Sequence, residues 1–311
     1  MTFWFDIGIA AIALGLAWRA VVARRSFDSA VAFVIYGLVL TLGWVRLDAV
    51  DVALTEAAIG SGLTGALLLG AAHRLDRARP QVEDRPSGPM RLLLGLACVA
   101  VTVGLGVVVL MLPEAEPRQA IAAAENAPAT GMLNPVTNVL MAFRGFDTLL
   151  EKVVLLAGLL GVWSLGRDAA WGGWPGRRLP AGPEGPLTFF ARMLPPAGVL
   201  IAVHLLWVGA DAPGGAFQGA TILAAMALLV RMAGLGDAPP VARRWLRGLL
   251  VLGPGAFLVA ALAGAWLAGA PFAYPQAQAK LVILVVEFAM LVSVAATLTL
   301  LVSGPPERPL P

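Results

Sequence analysis

The chain has 311 residues, 59% of them hydrophobic and only 13% charged, where an ordinary soluble domain carries about 25% charged residues. One cysteine and two histidines exclude a disulfide framework and a multi-histidine metal site, and the formal charge of +3 is spread over loops rather than gathered on a nucleic-acid-binding module. This composition predicts an all-α polytopic membrane protein.

Nine apolar segments have about the length a bilayer requires: Phe3–Val22, Phe27–Val45, Val52–Ala72, Leu92–Leu112, Val136–Leu165, Met193–Gly209, Gly215–Met232, Leu249–Ala268 and Leu281–Val302. The first lacks a basic leader and a small-residue cleavage site, so it reads as a retained span with its start outside. Arg24 and Arg25, the cluster from Arg74 to Arg91, then Arg167, Arg177, Arg178 and Arg192, then Arg231 to Arg247, and Arg308 fall in alternate loops. The opposite loops hold only Arg46, Arg118 and Lys280, which predicts an outside N-terminus, a cytoplasmic C-terminus and an inner-membrane location. Most tryptophans fall at segment ends, as interfacial anchors do. Cys98 reads as a small core residue. The charged linker His73–Met90 and the Gly/Pro/Trp-rich linker Arg167–Pro186 divide the chain into domains 1–80, 81–180 and 181–311, with three, two and four spans.

Acidic residues inside apolar segments are costly, about 2.5–3.5 kcal/mol at a helix centre on insertion scales, and so mark candidate ion paths. In the third segment Glu56 sits one turn in, followed by the thin face Gly60, Ser61, Gly62, Thr64, Gly65 and Ala66, which suits close helix packing. Asp48 and Asp51 precede it as carboxylates suited to a helix start. The fifth segment exceeds one simple span, and Asn134-Pro135 predicts a short, interrupted helix at its outer end. Arg144, Asp147, Glu151 and Lys152 follow, with Gly145 placed to break the helix. Acids one turn apart beside bases suit a proton or cation relay, and an interfacial salt-bridge network is the structural alternative.

His204 lies mid-span in the sixth segment, as a proton carrier or as a packing residue. Pro213, Gly214 and Gly215 form an outer turn, and Asp211 and Gln218 flank it where an ion or partner helix could bind. In the last segment Lys280 reaches the interface, and Glu287 lies roughly 10 Å deeper at 1.5 Å per residue. No P-loop, HExxH, CxxC or GxSxG motif suggests covalent catalysis, so the expectation is a component of a transporter and not an enzyme, with no cofactor.

Three stretches carry a family resemblance. DVALTEAAIGSGLTGALLL, 51–69, resembles the MbhD-like domain found in membrane-bound hydrogenases and in the large Mrp antiporter subunit. NVLMAFRGFDTLLEKVVLLAGLLGV, 138–162, resembles the MbhE-like domain. The stretch 187–301, with PGGAFQG, GAPF and LVVEFAMLVSVA, is similar to the MnhB/MrpB subunit of multisubunit cation/proton antiporters. The resemblance implies a subunit exchanging Na⁺ or another monovalent cation for H⁺, partnered by other antiporter subunits in the bilayer. It matches Glu56, Arg144, Asp147, Glu151 and Glu287 to the family's polar positions. The chain departs from it where the family has a Gly-His pair, here Gly209 and Ala210, and a third glycine, here Ala216. A membrane-arm subunit of a hydrogenase or complex-I-like redox assembly, and a purely structural subunit, are the alternatives.

Overall fold

The computed structural model describes residues 2–78, 87–113, 116–180 and 185–310. In chain order the helices are α1 (Thr2–Val22), α2 (Ser26–Arg46), α3 (Val50–Thr55), α4 (Thr64–Ala78), α5 (Gly88–Met111), α6 (Arg118–Asn126), α7 (Pro135–Asn138), α8 (Gly145–Ser164), α9 (Pro186–Val208), α10 (Ala216–Met232), α11 (Arg244–Ala268) and α12 (Ala279–Ser303). Two π-helical stretches interrupt long helices, Glu56–Leu63 between α3 and α4, and Val139–Phe143 between α7 and α8. The strands β1 (Trp174–Pro175) and β2 (Pro306–Arg308) pair antiparallel.

The described residues are mostly helical, and seven helices are long and apolar enough to cross a membrane, with Ala216–Met232 a shorter apolar helix. The molecule is a multi-pass membrane protein. α8 carries Asp147, Glu151 and Lys152, and that charge load sets it apart from the seven. The boundaries expected near residues 80 and 180 reach into 79–86 and 181–184, outside the described residues, as do Arg79 and Arg85.

α9 to α12 form the best-packed part. α12 is its axis, with Ile283, Val286, Met290 and Leu291 in one cluster against Leu206, Phe257 and Phe272. Glycines let neighbours close in: a Cβ on Gly253 would lie 2.8 Å from the Ser293 side chain, so α11 and α12 touch there through a position that tolerates nothing larger. α8 leans on α11 and α12, and α2 packs with α1, α3, α4 and the first π stretch.

Several local expectations change. α9 begins at Pro186 rather than Met193, with proline in the first turn where its missing N–H is harmless, and Arg192 therefore rides on a helix rather than in a loop. α4 runs to Ala78, so His73 is also helical. Hydropathy marks where the apolar stretch ends, whereas backbone hydrogen bonding continues past it. Trp163 is buried at 3% exposure and packs with Leu159 and Leu246, so it is core and not an interfacial anchor. Cys98 is exposed, because no residue of α5 is buried within this chain.

Candidate functional site

All three sequence blocks converge on one cavity of about 270 Å³, room for several waters or a partly hydrated monovalent cation. The first block supplies Asp51 and Thr55. The second supplies Thr137, Glu151 and Lys152, and the third Gly214, Gly215, Gln218 and Glu287.

Each side chain arrives by a local backbone feature. Asn134 caps α7, its side chain accepting from Val136 N (2.8 Å) and Thr137 N (3.5 Å), as the Asn-Pro pair predicts. The chain then widens into a π turn and breaks at Arg144 (φ −128°, ψ 36°), before Gly145 opens α8. Gly145 is required there because a Cβ would fall 2.7 Å from the Phe272 ring. The break re-aims α8 so that Lys152 points inward and Arg144 outward. Gly214 and Gly215, at φ +157° and +134°, adopt backbone that a Cβ disfavours, and they aim the first N–H groups of α10 at the cavity.

Glu287 is 4% exposed, accepts a hydrogen bond from the Ala216 N–H, and keeps Oε2 without a hydrogen-bond partner among the described residues. It faces the positive end of α10, where a carboxylate is favoured. Lys152 is 6% exposed; its Nζ donates to Glu151 Oε1 at 2.9 Å and lies 4.3 Å from the centroid of the Phe217 ring. Glu151 itself is half exposed. The cavity is thus lined by one enclosed carboxylate with an unpartnered oxygen, one enclosed ammonium and one carboxylate open to the surroundings. Gln218 Nε2 donates to Thr55 Oγ1 at 3.3 Å and holds the wall between α3 and α10.

Other candidates lie elsewhere. Glu56 is half-buried on the first π stretch, its Oε1 3.1 Å from where a Cβ on Gly37 would stand, and it does not line the cavity. Asp147 pairs with Arg144 at 2.5 Å, both more than half exposed, and neither lines the cavity. His204 is exposed on α9, away from the cavity. Asp211 accepts from Lys280 with both oxygens at 2.7 Å, tying the α9–α10 turn to α12.

Asp51 shows what sequence reasoning missed. It does not cap its helix; its Oδ1 accepts from Gly214 N at 2.9 Å and its Oδ2 faces Asn134 Nδ2 at 3.4 Å. A helix-start aspartate has the same sequence signature whether it caps its own helix or reaches another, so spacing offered no signal. Among the described residues no group of His, Cys, Asp and Glu has the arrangement of a metal centre.

Comparison with known proteins accords with this architecture. Residues 11–77 match the family model for the D subunit of MBH, and residues 186–304 match the domain related to the MnhB subunit of Na⁺/H⁺ antiporter. The chain is 28% identical over 168 residues to the A subunit of a Na⁺/H⁺ antiporter from Bacillus subtilis, covering 52% of this chain and 20% of that protein. It resembles a chain of the Mrp complex from Dietzia sp. DQ12-45-1b with a TM-score of 0.73 and 25% identity, over 96% of this chain and 35% of that one. A chain of the archaeal membrane-bound sulfane sulfur reductase shares the fold with a TM-score of 0.55 and 21% identity, over 69% of this chain and 97% of that one. The chain thus spans about a fifth of the Bacillus protein and about a third of the Dietzia chain. It is a multi-pass membrane protein whose fold resembles a chain of the Mrp complex, with one stretch similar to the D subunit of MBH and another to the MnhB-related domain.

Proposed function

We propose that this chain is a subunit of a multisubunit monovalent cation/proton antiporter and that the cavity at Glu287 is a station on its ion path. The observation that carries the proposal is Glu287 itself: an enclosed carboxylate with an unpartnered oxygen, in a cavity that also holds Lys152 and Glu151. A buried charge of this kind is retained against a cost of several kcal/mol, and a visiting proton or cation offsets that cost. Chemistry here means cation and proton exchange on carboxylates, without a covalent step. Glu56 would serve a second point of the path, with Asp147 and His204 as further candidate points on it.

The topology that fits is nine spans, with the N-terminus outside and the C-terminus in the cytoplasm of a cell-membrane protein, and with 81–180 as an MbhE-like segment between the matched domains. Other antiporter subunits would be the partners. The test is Glu287→Gln in everted vesicles carrying the whole complex. Cation/proton exchange should fall at least about tenfold with assembly intact, since about 1.4 kcal/mol of lost stabilisation is already tenfold. Exchange at the parental rate would overturn the reading. The MbhD-type match also favours a second reading, a membrane-arm subunit of a redox complex. Copurification of iron–sulfur subunits, in place of antiporter-like subunits alone, would select it.

A further inference from the structure

We infer that Asp51 is a positioning residue for Glu287, acting through the Gly214–Ala216 turn; the inference rests on the transport reading of the Glu287 cavity. Asp51 is 9% exposed, and its two oxygens bind groups from the two other blocks, Gly214 N and Asn134 Nδ2. Asn134 also donates to Ala212 O at 2.9 Å, while Leu133 N and Asn134 N both donate to Ala210 O at 3.1 Å, and Thr137 Oγ1 donates to Gly209 O at 2.6 Å. The segment from Gly209 to Gly214 is thus strapped to the start of α7, and Asp51 closes the strap.

Two residues beyond Gly214, the Ala216 N–H donates to Glu287. Gly214 and Gly215 lie in backbone regions that glycine leaves open, and two hydrogen bonds fix them: Gly215 N donates to Leu205 O at 2.9 Å, and Gly214 N donates to Asp51. A fixed anionic acceptor at Gly214 N supplies what the glycines lack. Displacing the Asp51 carboxylate removes one of these two holds and lets the Ala216 N–H move relative to Glu287. A carboxylate that loses an N–H donor holds its proton to higher pH. The ionisable groups lining the cavity beside Glu287 are Asp51 from α3 and Glu151 and Lys152 from α8, and the Tyr274 phenol on the α11–α12 connection lies within reach of the Glu287 charge.

The experiment uses the assembled complex and the variant D51E, which keeps the charge and moves it by one methylene. Two readouts are taken: the pH profile of cation/proton exchange, and the infrared protonated-carboxyl band that disappears in E287Q. D51E should move both toward alkaline pH by roughly one pH unit, and N134S, which keeps a capping oxygen for α7, should move them in the same direction by less. An assembled D51E with parental profile and band overturns the inference. Should D51E not assemble, N134S decides, a shift supporting the inference and no shift overturning it. An E287Q complex that exchanges normally sinks the transport reading alone, because the infrared midpoint still reports whether Asp51 positions Glu287.

Discussion

Glu151 and Lys152 are neighbours in the chain, yet α8 turns them to different surroundings, the acid half exposed and the amine 6% exposed. The pair is therefore asymmetric in energy. Removing Glu151 strands a buried ammonium, whereas removing Lys152 leaves a carboxylate that the surroundings can solvate. We expect E151A to lower the melting temperature of the purified complex more than K152M, by an amount equivalent to about 1–3 kcal/mol. K152M should be close to neutral in stability, with Met filling the space beside Phe217, while exchange falls at least about fivefold. Equal melting temperatures for the two variants would mean that the ammonium is not held in a low-dielectric place. Sequence reasoning drew these two residues and Glu287 from the high cost of charge in apolar segments, which is a local property. It put Glu56 beside them on the same ground and left His204 between proton carrier and packing residue, because a sequence does not show which faces of helices meet.

At the scale of elements, the break between α7 and α8 is held by the connection between α11 and α12. Tyr274 Oη donates to Met141 O at 2.9 Å, a carbonyl of the π turn. Burial, and secondarily the Glu287 charge, push the Tyr274 phenol well above its ordinary range, so it remains a donor at working pH. Phe272, at φ +59°, is a left-handed non-glycine residue whose ring packs on Phe257 (4.8 Å) and Phe146 (5.1 Å) and covers Gly145. G145A should destabilise the complex by about 1–3 kcal/mol through overpacking, seen as a lower melting temperature. Y274F should cost about 0.5–1.5 kcal/mol and raise amide exchange over 139–145. No change in exchange there would mean that the π turn does not depend on the tyrosine. The interruption was legible in Asn134-Pro135 and Gly145, but the partner that stabilises it, 127 or more residues away in Phe272 and Tyr274, was not.

Over the whole molecule, the last residues close the chain on itself. Arg308 forms a bidentate pair with Asp237 at 2.7 and 2.9 Å, donates through Nε to Gly176 O at 3.0 Å, and β2 pairs with β1. Burial alone would raise the Asp237 carboxyl, but the Arg308 hydrogen bonds and charge, with the Ala238 N–H, hold it below its ordinary value. Its folded value is depressed, so the contribution of the clasp is present above the unfolded carboxylate value of about 3.9 and is lost as pH falls through the lower folded value. Protection of residues 304–310 from proteolysis should therefore hold at neutral pH and drop below about pH 4, and D237N should lose it at neutral pH. Protection in D237N equal to that of the parent would remove the pair from the account. α5 is exposed along its length and carries no charge after Arg91, a surface suited to lipid or to another apolar helix.

Hydrophobic length, the arginine pattern and the scarcity of charge determined by themselves that this is a helical membrane protein, because the bilayer imposes those requirements on each segment separately. The family motifs and the costly acids were likewise local, so the chain alone announced which residues to ask about. Tertiary structure decided which of those residues meet. Asp51, Lys152 and Glu287 are brought to one cavity by the π turn before α8, a pair of positive-φ glycines and helix contacts between distant segments. Those depend on packing between helix faces, which no window of sequence contains.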